Sequence, residues 1–233
     1  MAQDPATPQL GKELFRKPLV LGLLDPLSGK SLLVLGCGSG SGYWCRELAR
    51  RGARVTGVDE GNQQLELARA EEARRPLGIR YLERRIGQLG GLEDGEFELV
   101  FLDYVLLSIP RLELIARLFF EAHRVLADDG RMLVSELHPF DALLDDAMVL
   151  PSGFHYFSRG AAFEARGRQL DGKTVQYTNY HWTVSDYYEA ITRAGFYVSR
   201  ILEPQVSRSL LEANPELQYR ANLPRDLIFM AEK

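Results

Sequence analysis

The 233-residue chain predicts an α/β fold built on a doubly wound, mostly parallel sheet. Three observations carry that expectation. Apolar, strand-like runs alternate with helical patterns five times between Leu32 and Leu137, the order that crossover helices on a parallel sheet produce. The first run, in "LLVLGCGSGSG", has no period-2 alternation, so both of its faces are expected to be covered. It stops against glycines at 36, 38, 40 and 42, and glycine directly after a buried strand lets a ligand press against main chain.

The elements follow in order. Lys12 to Leu24 has a helical pattern, and "DPLSGKS" turns the chain into the first strand. "YWCRELARRG" reads as a helix of two to three turns ending at Gly52, and Arg54 to Val58 is the second strand, with Asp59 at its tip. "EGNQQLELARAEEARR" is a helix stopped by Pro76, "GIRYLERR" a third strand and "FELVFLDYVLLSI" a fourth. Residues 112 to 126 repeat their apolar positions near every 3.6, as an amphipathic helix does. "ADDG" reads as a turn and "RMLVSEL" as the fifth strand. The alternation then breaks. Between His138 and Trp182 lie aromatic and glycine-rich stretches such as "AFEARGRQ" and "KTVQYTNYHW", expected to form a small antiparallel insertion (residues 138–182) in an otherwise single domain (1–233). A segment that long leaving the ligand-binding edge reads as a lid. Thr183 and Asp186 have capping-box spacing at the start of a helix, and "FYVSRILEP" and "DLIFMAEK" supply two more strands.

Composition narrows the function. The charge count, 28 basic against 32 acidic residues, leaves −4, and no basic footprint for nucleic acid stands out. Two cysteines, Cys37 and Cys45, form no disulfide framework, and no Cys and His set has metal-binding spacing. With no apolar run of about 18 residues and no leader-like start, a soluble cytoplasmic protein is expected, a monomer or homodimer. The glycine loop fits neither GxGxxG register, because Ser41 and Tyr43 stand where the third glycine belongs, and no Gly-Lys-Ser/Thr follows. A nucleoside-like ligand without phosphates is the better match. Strand, glycine loop, helix, strand and terminal carboxylate is an architecture that binds such ligands at strand carboxyl ends.

These residues resemble the class I S-adenosylmethionine-dependent methyltransferases. The resemblance covers nearly the whole chain from about Glu13, through "GKSLLVLGCGSG", "GARVTGVDEGNQQLELARA", "FELVFLDYVLLSI", "EAHRVLADDGRMLVSELHP", "YHWTVSDYYEAITRAGF" and "IFMAEK". The "HP", "YHWT" and "EP" elements resemble the branch acting on small molecules. It implies seven strands in the order 3-2-1-4-5-7-6, the last antiparallel. It also implies S-adenosylmethionine as cofactor, S-adenosylhomocysteine as product, and a methyl acceptor that is a small molecule. By position, Gly36, Cys37, Gly38 and Gly40 would wrap the methionine part. Asp59 would accept from the ribose hydroxyls, Glu60 would flank the adenine, and Arg85 and Ile86 would lie at its edge. Leu102, Asp103 and Tyr104 would lie near the sulfonium, and Arg16 would approach the cofactor carboxylate.

Four positions depart from the family pattern. Val34 stands where an acid is expected in strand one, and Arg85 where a carboxylate usually accepts from the adenine amino group. Glu98 replaces an aspartate before strand four, and "DDG" replaces a "PGG" turn. The first two remove acceptors, so a protein that holds the cofactor without transferring methyl, such as a cyclase or sensor, is the alternative. Candidates for acid-base work are His138, His181 and Tyr104. Against these stand plainer roles: His138 satisfying backbone at a strand end, and His181 as a core histidine bonded to main chain. Tyr156, Tyr177 and Tyr180 either line an acceptor pocket or pack the lid.

Overall fold

The computed structural model describes residues 11–37, 41–144, 148–168 and 174–233, so Gly38 and Gly40 lie outside the described residues. A seven-stranded sheet organises them, in the order β3-β2-β1-β4-β5-β10-β9. Its strands are β1 (Ser31–Leu35), β2 (Arg54–Asp59), β3 (Arg80–Glu83), β4 (Phe97–Asp103), β5 (Leu126–Leu137), β9 (Tyr197–Leu202) and β10 (Asp226–Glu232). β1 to β5 pair in parallel, and β10 runs antiparallel to both its neighbours. This is the expected topology.

The missing alternation in the strands has a direct counterpart in packing. Leu33, Leu35, Val100, Leu102, Val134 and Phe229 meet α4 (Leu112–Val125) and α6 (Val184–Arg193) on one face. Leu32, Val34, Leu99, Phe101, Leu133 and Ile228 meet α1 (Lys17–Leu24), α2 (Tyr43–Ala49) and α3 (Asn62–Arg74) on the other. Each such fully buried side chain contributes about 1.5–3 kcal/mol. Val34, the residue standing where an acid was expected, is 2% exposed in the second of these clusters. α4 buries Ile115, Leu118, Phe119, Ala122 and Val125, the stripe read from its period. α6 opens on a complete capping box between Thr183 and Asp186.

Two features differ from expectation. "ADDG" is not a turn that precedes the strand: β5 already begins at Leu126, and three residues of β4 (Phe97 to Leu99) lie against six of β5 (Leu126 to Arg131). The excess folds back on itself at Gly130, where a Cβ would sit 2.6 Å from Leu126 Cγ. Between β9 and β10, residues 203–225 form α7 (Arg208–Ala213) and a 3-10 turn (Pro215–Arg220), neither of which the sequence pattern anticipates. Nothing apolar and periodic marks that segment, which is why it reads poorly. It nevertheless packs through Leu217 and Val206, both buried.

Between β5 and α6 lies a short helix, α5 (Asp141–Leu144), followed by a separate antiparallel sheet, β6 (Met148–Val149), β7 (Ala162–Arg168) and β8 (Thr174–Tyr180). This is the expected ribbon. No described helix is long and apolar enough to cross a membrane.

Candidate functional site

The carboxyl ends of β1, β2 and β4 frame a cleft of about 130 Å³. Gly36, Asp59, Glu60, Arg85 and Ile86 all lie in its wall, together with Leu35, Val58, Leu89, Val105 and Ser108. Gly36 has φ +71°, and a Cβ there would meet Val105 Cγ2 at 2.4 Å, so glycine is required twice over. The amides of Gly36 and Cys37 both donate to Val58 O, which ties the loop to the tip of β2. Cys37 is buried.

Asp59 ends β2 half-buried, and its Oδ1 accepts from Gly61 N at 2.8 Å. The helix-start role and a place in the cleft therefore coexist at one residue. Glu60 accepts from Ile86 N at 3.2 Å, joining two rims of the cleft. Arg85 is exposed on that rim. Glu98 does not face the cleft: it holds Lys30 and the amide of Ser31, pinning the start of β1.

At the tip of β4 the chemistry changes from apolar walls to buried charge. Register places Leu35 opposite Leu102, so Asp103 stands level with Gly36. Arg16, 5% exposed, reaches Asp103 Oδ2 from the N-terminal helical turn (Lys12–Arg16) at 3.1 Å, and Trp44 Nε1 donates to the same oxygen at 2.5 Å. Tyr104 has φ +54°, a strained conformation for a side chain of this size costing about 1–3 kcal/mol. Its ring lies 4.0 Å from the Arg16 guanidinium carbon, and its hydroxyl donates to Asp226 at 2.6 Å. Burial pushes the Tyr104 hydroxyl well above its ordinary pKa, so it is a donor at neutral pH. Leu102 is fully buried in the core and is not among the cleft's walls.

Among the described residues, Arg16 Nη1, a donor, and Asp103 Oδ1, an acceptor, have no partner. Leaving a buried polar atom unpaired costs about 1–3 kcal/mol. An α-amino acid, whose carboxylate accepts and whose ammonium donates, matches both at once. Such a receptor at the tip of β4, beside a cleft walled by Gly36, Asp59 and Glu60, fits S-adenosylmethionine.

The two histidines lie farther along the same edge. His138 is 1% exposed; Phe140 N donates to its Nδ1, so Nε2 carries the proton and donates to Glu203 at 2.9 Å. Burial lowers its pKa, against the pull of Glu203. His181, also buried, donates from Nε2 to Tyr156 O at 2.6 Å, and burial lowers its pKa, which leaves it neutral with the lone pair on Nδ1. A row of rings joins them: His138 stacks on Phe140, Phe140 meets Tyr156, and Tyr156 meets His181. Tyr156 thus packs this wall, whereas Tyr177 is exposed.

Sequence reasoning missed Trp44, Asp226 and Glu136. Glu136 is fully buried, and its carboxyl accepts from Leu106 N at 2.7 Å and Leu137 N at 2.9 Å. It anchors the turn Leu106–Ser108, whose neighbours Val105 and Ser108 line the cleft. Burial pushes its pKa up to about 8, with the amide donors pulling the other way. A charged residue inside the apolar run "RMLVSEL" was the available signal for Glu136, and one opening the run "DLIFM" was the signal for Asp226.

Comparisons with known proteins agree with this geometry. The family described as "Methyltransferase domain" matches residues 34–134, from β1 through most of β5. A ubiquinone biosynthesis O-methyltransferase of Pseudomonas aeruginosa (strain UCBPP-PA14) is 29% identical over 124 residues, 52% of this chain and 51% of that one. The chain thus aligns with about half the length of the curated relatives it matches first. A crystal structure of an S-adenosylmethionine-dependent methyltransferase from Mesorhizobium loti superposes with TM-score 0.69 at 24% identity, covering 93% of this chain and 96% of that one. The 4+2 cyclase SpnF shares the fold at TM-score 0.64 and 18% identity, covering 94% and 80%. Residues 34–134 thus match the methyltransferase-domain family, and the chain shares the fold of solved S-adenosylmethionine-dependent methyltransferases.

Proposed function

We propose that this chain transfers the methyl group of S-adenosylmethionine to an oxygen, nitrogen or carbon of a small molecule, with oxygen favoured by the names of the curated relatives. One observation carries the reading: Arg16 Nη1 and Asp103 Oδ1, orphaned among the described residues, stand level with Gly36, which lines the same cleft as Asp59.

In this reading Asp59 accepts from the ribose hydroxyls. Glu60, Arg85 and Ile86 hold the adenine edge, with Arg85 stacking or donating where a carboxylate would have accepted. Gly36 and Cys37, with Gly38 and Gly40, let the methionine chain lie on bare backbone. Arg16 takes the carboxylate, and Asp103 the ammonium. The cofactor supplies a methyl group on a sulfonium that leaves as a neutral thioether. The chain's task is therefore alignment, which supplies up to about 7–11 kcal/mol in favourable systems.

The acceptor chamber lies toward His138, Tyr104 and the second sheet, with residues 138–182 as its lid. His181 is the better base of the two histidines, because its Nδ1 carries a lone pair while both nitrogens of His138 are engaged. His138, stacked on Phe140 and held by Glu203, forms wall.

The test is incubation with methyl-labelled S-adenosylmethionine and a metabolite extract. Label appearing in small molecules is the expected result. Tight binding of S-adenosylhomocysteine without any labelled product would instead assign the chain to the cofactor-binding, non-transferring alternative.

A further inference from the structure

The segment between β9 and β10 delivers a second buried ion pair to the tip of β4. Asp226, fully buried at the first position of β10, accepts from Tyr104 Oη at 2.6 Å on one oxygen and from Arg220 Nη1 at 2.6 Å on the other. Arg220 is itself mostly buried, and its Nε donates to Tyr219 Oη at 3.1 Å. The 3-10 turn that carries Arg220 packs on the N-terminal turn: a Cβ at Gly11 would meet Tyr219 Oη at 3.0 Å and Arg220 Nε at 3.1 Å.

A continuous chain of contacts results. Arg220 holds Asp226, Asp226 holds the Tyr104 hydroxyl, and the Tyr104 ring lies against the Arg16 guanidinium. Arg16 then spends Nη2 on Asp103 and leaves Nη1 unpaired. A guanidinium is planar, so a ring fixed against its face fixes where the spare N–H points. Tyr104 holds that ring in a strained backbone conformation, which needs an outside restraint to persist. Asp226 is that restraint.

We propose that Asp226 and Arg220 are positioning residues for the amino-acid end of the cofactor, acting through Tyr104 on Arg16. This rests on the methyltransferase reading above. Neither residue lies within residues 34–134, the part shared with the methyltransferase-domain family.

The test compares two ligands with the same nucleoside. S-adenosylhomocysteine carries the amino acid; 5′-methylthioadenosine does not. Calorimetric titration of the full chain is expected to show that Asp226→Asn weakens S-adenosylhomocysteine by about tenfold or more while 5′-methylthioadenosine keeps its affinity within about twofold. Tyr104→Phe, which keeps the ring and loses only the hydroxyl bond, shows the same ligand-selective loss at smaller size and covers the case in which Asp226→Asn fails to fold. Equal losses for both ligands, or unchanged affinity for S-adenosylhomocysteine in both variants, would overturn the proposal. Wild-type protein that binds neither ligand would remove the methyltransferase reading itself, and the relay with it.

Discussion

The nucleoside end and the amino-acid end of the proposed cofactor site are built on different principles. The nucleoside end is apolar wall and turn: Leu35, Val58, Ile86 and Leu89 line it, and its polar groups, Asp59, Glu60 and Arg85, stand half-buried or exposed on the rim. The amino-acid end is buried charge, with Arg16, Asp103, Tyr104 and Asp226 meeting from segments far apart in the chain. The first depends on backbone shape and tolerates changes in the rim. The second depends on pairing, so removing any one member strands another in a low-dielectric interior. An end that binds by shape can be rebuilt residue by residue; an end that binds by matched charge cannot.

That contrast predicts where substitutions strike stability and where they strike binding. Arg16→Ala leaves Asp103 with Trp44 as its only described donor and should cost about 3–5 kcal/mol of folding free energy, read as a loss in urea unfolding midpoint. A cost below about 1 kcal/mol would show that the amino-acid end is solvated and that the contrast is false.

Glu136 ties the two ends together through the turn at Leu106, and its titration gives a second test. With a pKa raised from an ordinary 4.5 to about 8, the folded state keeps a proton that the unfolded chain has released. Stability should therefore fall as pH rises from about 4.5 to about 8, by on the order of 5 kcal/mol, and level off above. Glu136→Gln should flatten that slope. A variant with the wild-type slope would show that the amide donors, not burial, govern this carboxyl.

Gly36→Ala places a side chain at positive φ and against Val105, at the boundary between the ends. We expect about 2–4 kcal/mol of destabilisation together with loss of S-adenosylhomocysteine affinity. A stable variant with intact affinity would mean that the loop re-forms around a Cβ. Thr183→Ala removes the capping box of α6, outside both ends, and should cost only about 1 kcal/mol with ligand affinity unchanged.

The same contrast governs what could be read from the sequence. The strand, glycine loop, helix and terminal carboxylate from Leu32 to Asp59 were legible because periodicity, glycine and a strand-tip acid are local signals. The antiparallel insertion and the Thr183 cap were legible for the same reason. The partnership of Arg16 with Asp103 spans 87 positions and that of Tyr104 with Asp226 spans 122, and no local pattern encodes either. The segment after "FYVSRILEP" carries no apolar period and received no reading, although its 3-10 turn delivers Arg220 to the site. His138 and His181 were visible as residue types, but which nitrogen each has left over is a matter of neighbours that only folding brings together.

The most direct measurement is calorimetric titration of S-adenosylhomocysteine into the wild-type chain and Asp59→Ala side by side. A cleft that grips an adenosyl group through its strand-tip carboxylate predicts one site per chain, weakened about 100-fold when that carboxylate is removed while the melting temperature stays close to that of wild type. No binding by the wild type up to millimolar ligand, or equal affinity in the two proteins, would contradict it.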